Sequence, residues 1–405
     1  MIKLTMTQEQ KIQEVLTRGV ENIYPDKASF EELLNSGKKI RLYCGFDPTA
    51  PTLHVGSAVQ IKKLAQFQAL GHEVILLIGD FTGMIGDPTD KSKTRPKLTR
   101  EQLLKNAENY KEQAGKILDF SGENPAKIMY NSKWNDKLSF VDLIELSSNF
   151  TAQQMLARDM FKKRIEEGKD LYLHEFLYPL AQAYDSVVMD VDLEIGGNDQ
   201  MFNMLCGRTL MKKMKDKEKF VLTTKLLVDP KGEKMGKTTG NVVALDEKSN
   251  EMFGQIMSWT DGLIIPGFEF CTDLPMEEIE KMDQEMKDNK LNPRDAKAKL
   301  AKEIISTYHS SKDADNAEKE FNKIFKNKDK PTEMEVYKTD KSKVKIIDIL
   351  FDSKLVSSKG EAKRLIEQGG VKVDNIKVED CNQEIKVKDK MIIQAGKRKF
   401  VEIKI

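Results

Sequence analysis

Residues 41–78 read RLYCGFDPTAPTLHVGSAVQIKKLAQFQALGHEVILLI, and they carry the clearest fold signal in the 405-residue chain. The segment 41–46 is predicted to be a strand that ends in a turn with glycine and proline. Apolar residues recur at helical spacing over 57–70, and Gly71 is the stop signal. The continuous apolar run at 74–78 predicts a strand covered on both faces. Strand, turn, helix and strand make a βαβ unit, so we predict an open α/β sheet of the Rossmann-like, parallel kind.

Signals for further elements divide the rest of the chain. Strands are predicted at 127–130, 193–195, 222–228, 371–373, 391–395 and 400–405. From about residue 246 the strand signals fade, and charged helical patterns replace them. A polar stretch with a proline follows residue 325 and is typical of a linker. We therefore predict a Rossmann-like domain, a helical domain, a linker and a small α+β domain, at 1–245, 246–330, 331–343 and 344–405.

Composition excludes several classes of protein. The 66 Lys and Arg nearly cancel the 65 Asp and Glu, so any contact with RNA must come from local basic patches. The four cysteines form no CxxC pair and there are only four histidines, which predicts neither a disulfide framework nor a protein-bound metal. No apolar run approaches the roughly 18 residues of a membrane span. The N-terminus lacks a signal-peptide pattern, so we predict a cytoplasmic protein with no membrane association.

The turn PTAPTLHVGS at 48–57 lies between the first strand and the first helix. In an open α/β sheet this place is the crevice where ligands bind, and the helix N-terminus offers unpaired N–H groups suited to phosphate. Gly56 would let a nucleotide approach the backbone, and Thr49 and His54 could donate hydrogen bonds to phosphate oxygens. The alternative is a surface loop in which Ser57 simply caps the helix.

A second nucleotide signal is the loop DPKGEKMGKTTG at 229–240. A phosphate P-loop needs four residues between its first glycine and its Gly-Lys pair, but Gly232 and Gly236 are separated by only three. One interpretation is a solvated, charged turn. The other is a flexible loop whose Lys234 and Lys237 close over a triphosphate and neutralise a departing pyrophosphate.

Three polar side chains share one face of the helix predicted at 174–189. Tyr178, Gln182 and Asp185 stand at i, i+4 and i+7, while most of their neighbours are apolar. A polar group buried without a partner costs about 1–3 kcal/mol. The partner is therefore either another part of the protein or a polar ligand, and Pro179 is expected to bend the helix or to start it.

In this order, the two glycine-containing segments resemble the HIGH and KMSKS signatures of class I aminoacyl-tRNA synthetases. The stretches YCGFDPT, GMIGDP, YPLAQAYD and GGNDQ at 43–49, 83–88, 178–185 and 196–200 look like the tyrosyl-tRNA synthetase family. The family's HIGH motif usually ends in a second histidine near the ATP ribose, and Ser57 stands there in this chain. Met235, Gly236 and Thr238 are milder departures, since both lysines of the loop remain.

The resemblance implies roles for particular residues. The ammonium group of tyrosine would be held by Tyr178, Gln182 and Asp87. Gln200 would lie near its carboxylate, and its phenol would be bound by Tyr43 and Asp185. The catalytic group acting on the leaving pyrophosphate would be Thr49, His54, Lys234, Lys237 and Thr238. ATP would be bound by Gly45, Asp47, Gly56, Ser57, Gly197, Asp199 and Lys237, together with Mg²⁺.

The segment SSKGEAKRLIEQGGVKVD at 357–374 predicts a helix, a glycine stop and a strand, and it resembles the alpha-L RNA-binding domain. That resemblance implies tRNA(Tyr) as partner, met by Lys359, Lys363 and Arg364, with the helical domain at the anticodon. The alternative is an ordinary solvated helix face. Family resemblance also implies a homodimer. The rival interpretations are a tryptophanyl-tRNA synthetase and a non-enzymatic RNA-binding relative that keeps the fold for docking.

Overall fold

The structure is a computed structural model that describes residues 6–89, 98–228, 243–325, 334–396 and 399–405. The chain divides into two compact units, Met1–Ala314 and Asp315–Ile405. No helix within these described ranges is long and apolar enough to cross a membrane. Each unit has its own sheet.

The strands of the first unit are β1 (Val20–Tyr24), β2 (Arg41–Phe46), β3 (Glu73–Ile78), β4 (Lys127–Tyr130), β5 (Leu193–Gly197) and β6 (Phe220–Thr224). The helices from the N-terminus onward are α1 (Gln8–Thr17), α2 (Lys27–Asn35), α3 (Val55–Ala69), α4 (Thr82–Ile85), α5 (Arg100–Ala107), α6 (Tyr110–Ala114), α7 (Ser132–Asn135), α8 (Phe140–Ser147), α9 (Ala152–Leu156), α10 (Asp159–Glu166), α11 (Leu173–Met189), α12 (Met201–Lys215), α13 (Ser249–Met257), α14 (Ile264–Cys271), α15 (Met276–Lys287), α16 (Pro293–Tyr308) and α17 (Ser311–Phe325).

The described strands of this unit form one sheet in the order β1-β6-β5-β2-β3-β4. From β6 to β4 all neighbours run parallel, and β1 pairs antiparallel with β6 at the edge. The chain goes from β2 outward to β3 and β4, then returns to place β5 on the other side of β2. Ligands of open α/β sheets bind at such a reversal of strand order, outside the carboxyl ends of the strands. A ligand-binding site is therefore expected in the crevice between β2 and β5.

The βαβ unit predicted at 41–78 is confirmed. Strands β2 and β3 pair in parallel along their whole length, from Arg41 beside Glu73 to Phe46 beside Ile78. Helix α3 begins two residues before the predicted start, and Gly71 adopts a φ of 89° just beyond its end. Glycine suits this position because other residues are strained there. The Rossmann-like sheet and the strands at 127–130 and 193–195 are confirmed as well.

Two features of the sheet differ from the sequence-based expectation. Strand β1 was not predicted, since five residues at a sheet edge with partial burial give only a weak alternating pattern. Strand β6 begins two residues earlier than predicted and ends at Thr224. After that residue the chain leaves β5, and the amide of Lys225 instead donates to the carbonyl of Gly19 at 2.9 Å.

From α13 to α17 the described chain is helical apart from short connections, as predicted for the region after residue 246. Within the first unit, apolar residues of these helices are buried, for example Phe253 on α13 and Leu300 and Ile304 on α16, each 0% exposed. The predicted division of this region from the sheet domain at 245, and its end at 330, remain predictions.

The second unit contains β7 (Glu335–Lys338), β8 (Lys343–Lys345), α18 (Ile346–Asp352), α19 (Lys359–Glu367), β9 (Val371–Val373), β10 (Ile376–Lys377), β11 (Glu384–Lys386), β12 (Ile392–Ala395) and β13 (Lys399–Lys404). The order β10-β9-β12-β13-β7 makes one sheet, and β11 pairs with β8. The predicted small α+β arrangement is confirmed by these elements.

Part of the segment that the sequence predicts to be a linker is structured. Strand β7 lies within 331–343 and pairs in parallel with β13, Val336 beside Glu402 and Tyr337 beside Ile403. The side chain of Tyr337 packs against the apolar core of this unit. The polar composition of this segment predicted a linker, and the one half-buried tyrosine that packs on the core was too weak a signal to predict the strand.

Candidate active site

The turn between β2 and α3 is built around His54. Its backbone is extended, and its Nδ1 accepts a hydrogen bond from the amide of Ser57 at 3.2 Å, so His54 is the N-cap of α3. The interpretation that Ser57 caps the helix is therefore wrong, because Ser57 already lies inside the first turn. Its hydroxyl instead approaches Nε2 of the same ring at 3.4 Å. The cap orients the imidazole at the helix N-terminus, where a phosphate would be favoured.

The residues that follow the lysine loop pack against this turn. The amide of Val55 donates to the carbonyl of Val243 at 2.9 Å, and the amide of Leu245 donates to the carbonyl of Leu53 at 3.0 Å. His54 and Ala244 form the bridge between these two hydrogen bonds. The loop's own predicted residues, Lys234, Lys237 and Thr238, lie outside the described residues.

Asp47, the first residue after β2, joins three elements. Its carboxylate accepts from the hydroxyl of Tyr178 on α11 at 2.9 Å and from the hydroxyl of Thr82 on α4 at 2.6 Å. A side chain at Gly79 would collide with this carboxylate, because a Cβ there would lie 2.0 Å from Oδ1. The predicted amino-acid face of α11 is thus bonded directly to the strand end predicted to bind ATP.

Asp185 is 2% exposed, and its carboxylate is surrounded by donors from the segment after β4. Trp134 Nε1 and Asn135 Nδ2 donate to one oxygen at 2.7 Å and 3.0 Å, and Asn131 Nδ2 donates to the other at 3.2 Å. Burial raises the pKa of this carboxyl to about 8, although the three donors oppose that shift. For Asp185 the partner expected from the sequence is therefore present within the protein.

The sequence did not predict these donors. Asn131, Trp134 and Asn135 come from the stretch NSKWN, which directly follows a strand of the parallel sheet. That location was the available signal, because the carboxyl ends of neighbouring strands share one edge. Thr82, which follows β3 at the same edge of the sheet, was not predicted either. Its hydroxyl accepts a hydrogen bond from Asn131 at 3.0 Å.

Gln182 and Tyr43 contact a buried polar group on β5. Gln182 Nε2 donates to Glu194 Oε1 at 2.9 Å, while its Oε1 is buried and has no hydrogen-bond partner among the described residues. The Tyr43 hydroxyl is hydrogen-bonded to Ser186 Oγ at 2.9 Å, and Ser186 in turn accepts from Lys219 Nζ at 2.8 Å. Burial raises the pKa of Tyr43 well above its ordinary value, with Glu194 adding to the effect.

Asp87 is joined by a hydrogen bond to a residue that follows β5. Gln200 Nε2 donates to the Asp87 carboxylate at 2.7 Å, and Arg158, which the sequence did not single out, pairs with the other oxygen at 3.4 Å. Burial raises the pKa of Asp199 to about 6, and the nearby negative charge of Asp87 adds to that shift. Gly197 is needed beside it, since a Cβ there would lie 2.4 Å from Asp199 Oδ1.

The predicted residues on four different elements thus meet in one region. Burial raises the pKa of Tyr178 well above its ordinary value, and the negative charges of Asp47, Asp87 and Asp185 add to that shift. Gly45 near the end of β2 is exposed, and among the described residues a Cβ there would meet Leu77 alone, at 3.9 Å, which leaves room for a ligand beside its backbone. The described residues contain no group of three His, Cys, Asp or Glu side chains arranged to hold a metal ion.

The basic helix of the second unit is α19, and Ser358 caps it by accepting from the amide of Glu361 at 3.2 Å. Lys359 pairs with Asp348 at 2.7 Å and Lys363 with Glu367 at 4.0 Å, and the two lysine side chains are 58% and 59% exposed. The Asp348 carboxylate raises the pKa of Lys359. Exposed pairs of this kind contribute little to stability, so the ammonium groups can exchange partners easily.

Comparison with known proteins agrees with this geometry. The model of a family described as tRNA synthetases class I (W and Y) matches residues 35–326, and that of the tyrosine–tRNA ligase SYY-like C-terminal domain matches 322–403. The tyrosine–tRNA ligase of Carboxydothermus hydrogenoformans is 46% identical over 402 residues, which cover 96% of this chain and 97% of that protein. The corresponding ligase of Thermotoga maritima is 42% identical over 399 residues, covering 98% of each.

A solved structure of a C-terminally truncated mitochondrial tyrosyl-tRNA synthetase from Aspergillus nidulans shares the fold, with a TM-score of 0.65 and 24% identity over 78% of this chain and 94% of that one. The fold, the site and the family match define a class I tRNA synthetase of the W and Y family. Within that family the chain belongs to the tyrosine–tRNA ligases, which confirms the resemblance seen in the motifs.

Proposed function

We propose that this chain activates L-tyrosine with ATP to give tyrosyl-adenylate and pyrophosphate, and then transfers the tyrosyl group to the 3′ end of tRNA(Tyr). Membership of the tyrosine–tRNA ligases supports the reaction. The observation that carries the proposal structurally is the Tyr178–Asp47 hydrogen bond of 2.9 Å. It joins the polar face of α11 to the carboxyl end of β2 in a single site, as an enzyme that brings an amino acid to a nucleotide requires.

The tyrosine substrate would lie along α11. Its ammonium group would be held by Tyr178, Asp87 and the unpartnered Oε1 of Gln182, with Gln200 near the carboxylate. Asp185 and Tyr43 would meet the phenol hydroxyl from the buried end. A site built around a hydroxyl rejects the analogue that lacks it, because buried polar groups are then left unpaired, and tyrosyl-tRNA synthetase is the standard illustration of this rule.

ATP would bind across the crevice between β2 and β5. The exposed backbone of Gly45, with Asp47, Gly197 and Asp199, would take the adenosine, and the phosphates would lie over the N-terminus of α3 beside Gly56 and Ser57. Mg²⁺ is expected to arrive with ATP, neutralising the phosphate oxygens.

The tyrosine carboxylate is already ionised at neutral pH, so the first step needs no general base. One carboxylate oxygen attacks the α-phosphorus, and the bond to the β-phosphate oxygen breaks with release of pyrophosphate. Thr49, His54 and the loop residues Lys234, Lys237 and Thr238 would stabilise the charge that develops on the leaving group. In the second step a ribose hydroxyl of the tRNA attacks the adenylate carbonyl carbon, and AMP leaves.

The second unit would bind the tRNA through phosphates, with Lys359, Lys363 and Arg364 on α19 as contacts. The predicted helical domain at 246–330 would meet the anticodon. We place the reaction in the cytoplasm, where these substrates meet.

A homodimer is the proposed assembly. Phe140, Val141 and Ile144 are 77%, 71% and 56% exposed on α8 and share one face of that helix. Adjacent exposed apolar side chains of this size are typical of a protein interface. A second copy of the chain is the occupant that family resemblance implies.

The experiment is tyrosine-dependent exchange of pyrophosphate into ATP by the full chain. Tyrosine should support exchange, whereas tryptophan or no amino acid should not. The Lys237→Ala variant should exchange slower by orders of magnitude with nearly unchanged tyrosine binding, because the lysine acts on charge that develops only as pyrophosphate leaves. Lys11→Ala removes an exposed lysine on α1 and serves as the matched control. Full activity of Lys237→Ala would remove the lysine loop from the mechanism.

A further inference from the structure

Only one end of the Gln182 side-chain amide has a hydrogen-bond partner among the described residues. Its NH₂ group donates to Glu194 Oε1 at 2.9 Å, whereas its oxygen is buried without a partner among the described residues. An amide has two nearly isosteric ends, and turning it by half a rotation exchanges a donor for an acceptor. Only the oxygen can accept a hydrogen bond from a substrate ammonium. The direction of this amide therefore matters to binding.

Glu194 decides that direction because an ionised carboxylate can only accept hydrogen bonds. The carboxylate is 2% exposed, and its second oxygen forms an ion pair with Lys219, which is fully buried. Lys219 Nζ also donates to Ser186 Oγ at 2.8 Å and to the Met204 carbonyl at 3.2 Å, which accounts for its three N–H groups. Burial lowers the pKa of Lys219, and the negative charge of Glu194 opposes that shift.

We propose that the buried Glu194–Lys219 pair is a positioning device that fixes the Gln182 amide with its oxygen toward the ammonium group of the bound amino acid. The inference rests on the proposed function, in which Gln182 holds that ammonium. Glu194 and Lys219 act through Gln182 and do not touch the substrate. The role of the pair is to orient the Gln182 amide. Stabilisation of the fold does not account for it, because a buried ion pair is not a reliable source of stability.

A neutral residue at 194 would reverse the arrangement. In Glu194→Gln, Lys219 still needs an acceptor, so the new amide oxygen turns toward Lys219 and its NH₂ group turns toward Gln182. Gln182 must then present its oxygen to residue 194 and its NH₂ group to the substrate ammonium. Two donors would face each other, and an acceptor for the ammonium would be lost.

The test compares two ligands that differ only in the amino group, L-tyrosine and 3-(4-hydroxyphenyl)propionate. We expect Glu194→Gln to weaken tyrosine binding by about 10- to 100-fold, the range for a charge-assisted hydrogen bond. Binding of the propionate, measured by competition or calorimetry, should stay within about 2-fold, since it has no ammonium to lose a partner. Equal weakening of both ligands, or of neither, would overturn the proposal, because a packing defect does not distinguish them.

A second variant tests the same idea by rescue. In Glu194→Gln combined with Lys219→Met, no cation demands the oxygen of residue 194. That amide can donate to Ser186, whose Oγ lies 3.4 Å from Glu194 Oε2, and accept from Gln182 as the carboxylate did. Tyrosine affinity should recover most of the loss seen in Glu194→Gln. A folded double variant that binds tyrosine no better than the single one would contradict the orientation mechanism.

Failure of this inference can be told apart from failure of the proposed function. If the unmodified chain neither binds tyrosine nor supports exchange, the proposed function is wrong. If it does both, and Glu194→Gln shows no difference between the two ligands, only the role of the Glu194–Lys219 pair is wrong. Thermal unfolding of each variant reports whether it is folded, and the ligand comparison in Glu194→Gln decides the matter even if the double variant does not fold.

Discussion

At the scale of single residues, the site depends on buried polar groups whose partners are charged or directional. Asp185 illustrates both the unfavourable burial of such a group and the fixed orientation that its partners give it. Its carboxylate is removed from water, which favours the protonated form, yet three N–H donors hold it in one orientation. A group held so firmly can meet a substrate hydroxyl without rearrangement, which is the benefit of preorganisation.

Asp185→Asn should destabilise the fold. The carboxyl group, ionised or protonated, has two oxygens that can accept, whereas the amide of Asn has one. With that oxygen toward Trp134 and Asn135, the new NH₂ group would face the NH₂ group of Asn131, so one hydrogen bond is lost between buried donors. The expected cost is about 1–3 kcal/mol in the free energy of unfolding, measured in urea.

That cost should depend on pH. Between its ordinary pKa of 3.8 and the raised value of about 8, Asp185 holds a proton in the folded chain that the unfolded chain has released. The folded state binds more protons in this window, so the contribution of Asp185 to stability falls as the pH rises through it. Asn does not titrate, so the deficit of the variant should shrink toward high pH. A deficit that is constant from about pH 5 to about pH 9 would contradict the raised pKa.

At the scale of elements, the junction of β2 and α3 combines a structural and a chemical task in one residue. His54 caps the helix through Nδ1, and the residues following the lysine loop bond to the backbone on both sides of it. The cap places the ring where leaving phosphate charge would develop. Loss of function in a His54 variant could thus arise from either task.

Two substitutions separate these tasks. Asn is among the best N-cap residues, so His54→Asn should preserve thermal stability, while His54→Ala should lose about 0.5–2 kcal/mol. Neither variant keeps an imidazole N–H for phosphate, so both should exchange pyrophosphate far more slowly than the unmodified chain. If His54→Asn retains full exchange activity, His54 is a cap and nothing more.

At the scale of the whole molecule, the proposed homodimer depends on the apolar face of α8. Phe140 and Val141 are among the most exposed large apolar side chains of the described chain. Exposing them to water in a monomer is unfavourable by about 25 cal/mol per Å² of apolar area, which association would relieve.

Phe140→Glu combined with Ile144→Glu should shift the chain from dimer to monomer. The substitutions place charges in the centre of the proposed interface, and charge buried without a partner opposes association. Sedimentation velocity should show the change, and Lys11→Ala should sediment like the unmodified chain. An unmodified chain that is already monomeric would refute the homodimer, and a double variant that remains dimeric would place the interface elsewhere.

The sequence by itself determined the βαβ unit, the parallel sheet and the residues that meet around Tyr178. Local periodicity and turn residues fix such elements, and parallel strands bring their carboxyl ends to one edge whatever follows. Helical spacing alone singled out Tyr178 and Gln182, whereas Asp47 was predicted from the resemblance to tyrosyl-tRNA synthetases. The roles assigned to them in binding tyrosine and ATP remain predictions.

Only the tertiary structure decided which groups satisfy those residues. Trp134 and Asn135 reach Asp185 from about 50 positions away in the chain, and the Glu194–Lys219 pair reaches Gln182 from two different segments. Hydrogen bonds between side chains are short-ranged and directional, so a partner is defined by position in space and leaves no periodic trace in the sequence. The sequence offered Ser57 as the cap of α3, whereas the structure has His54 in that position. Which residue caps the helix depends on the backbone geometry of the folded turn.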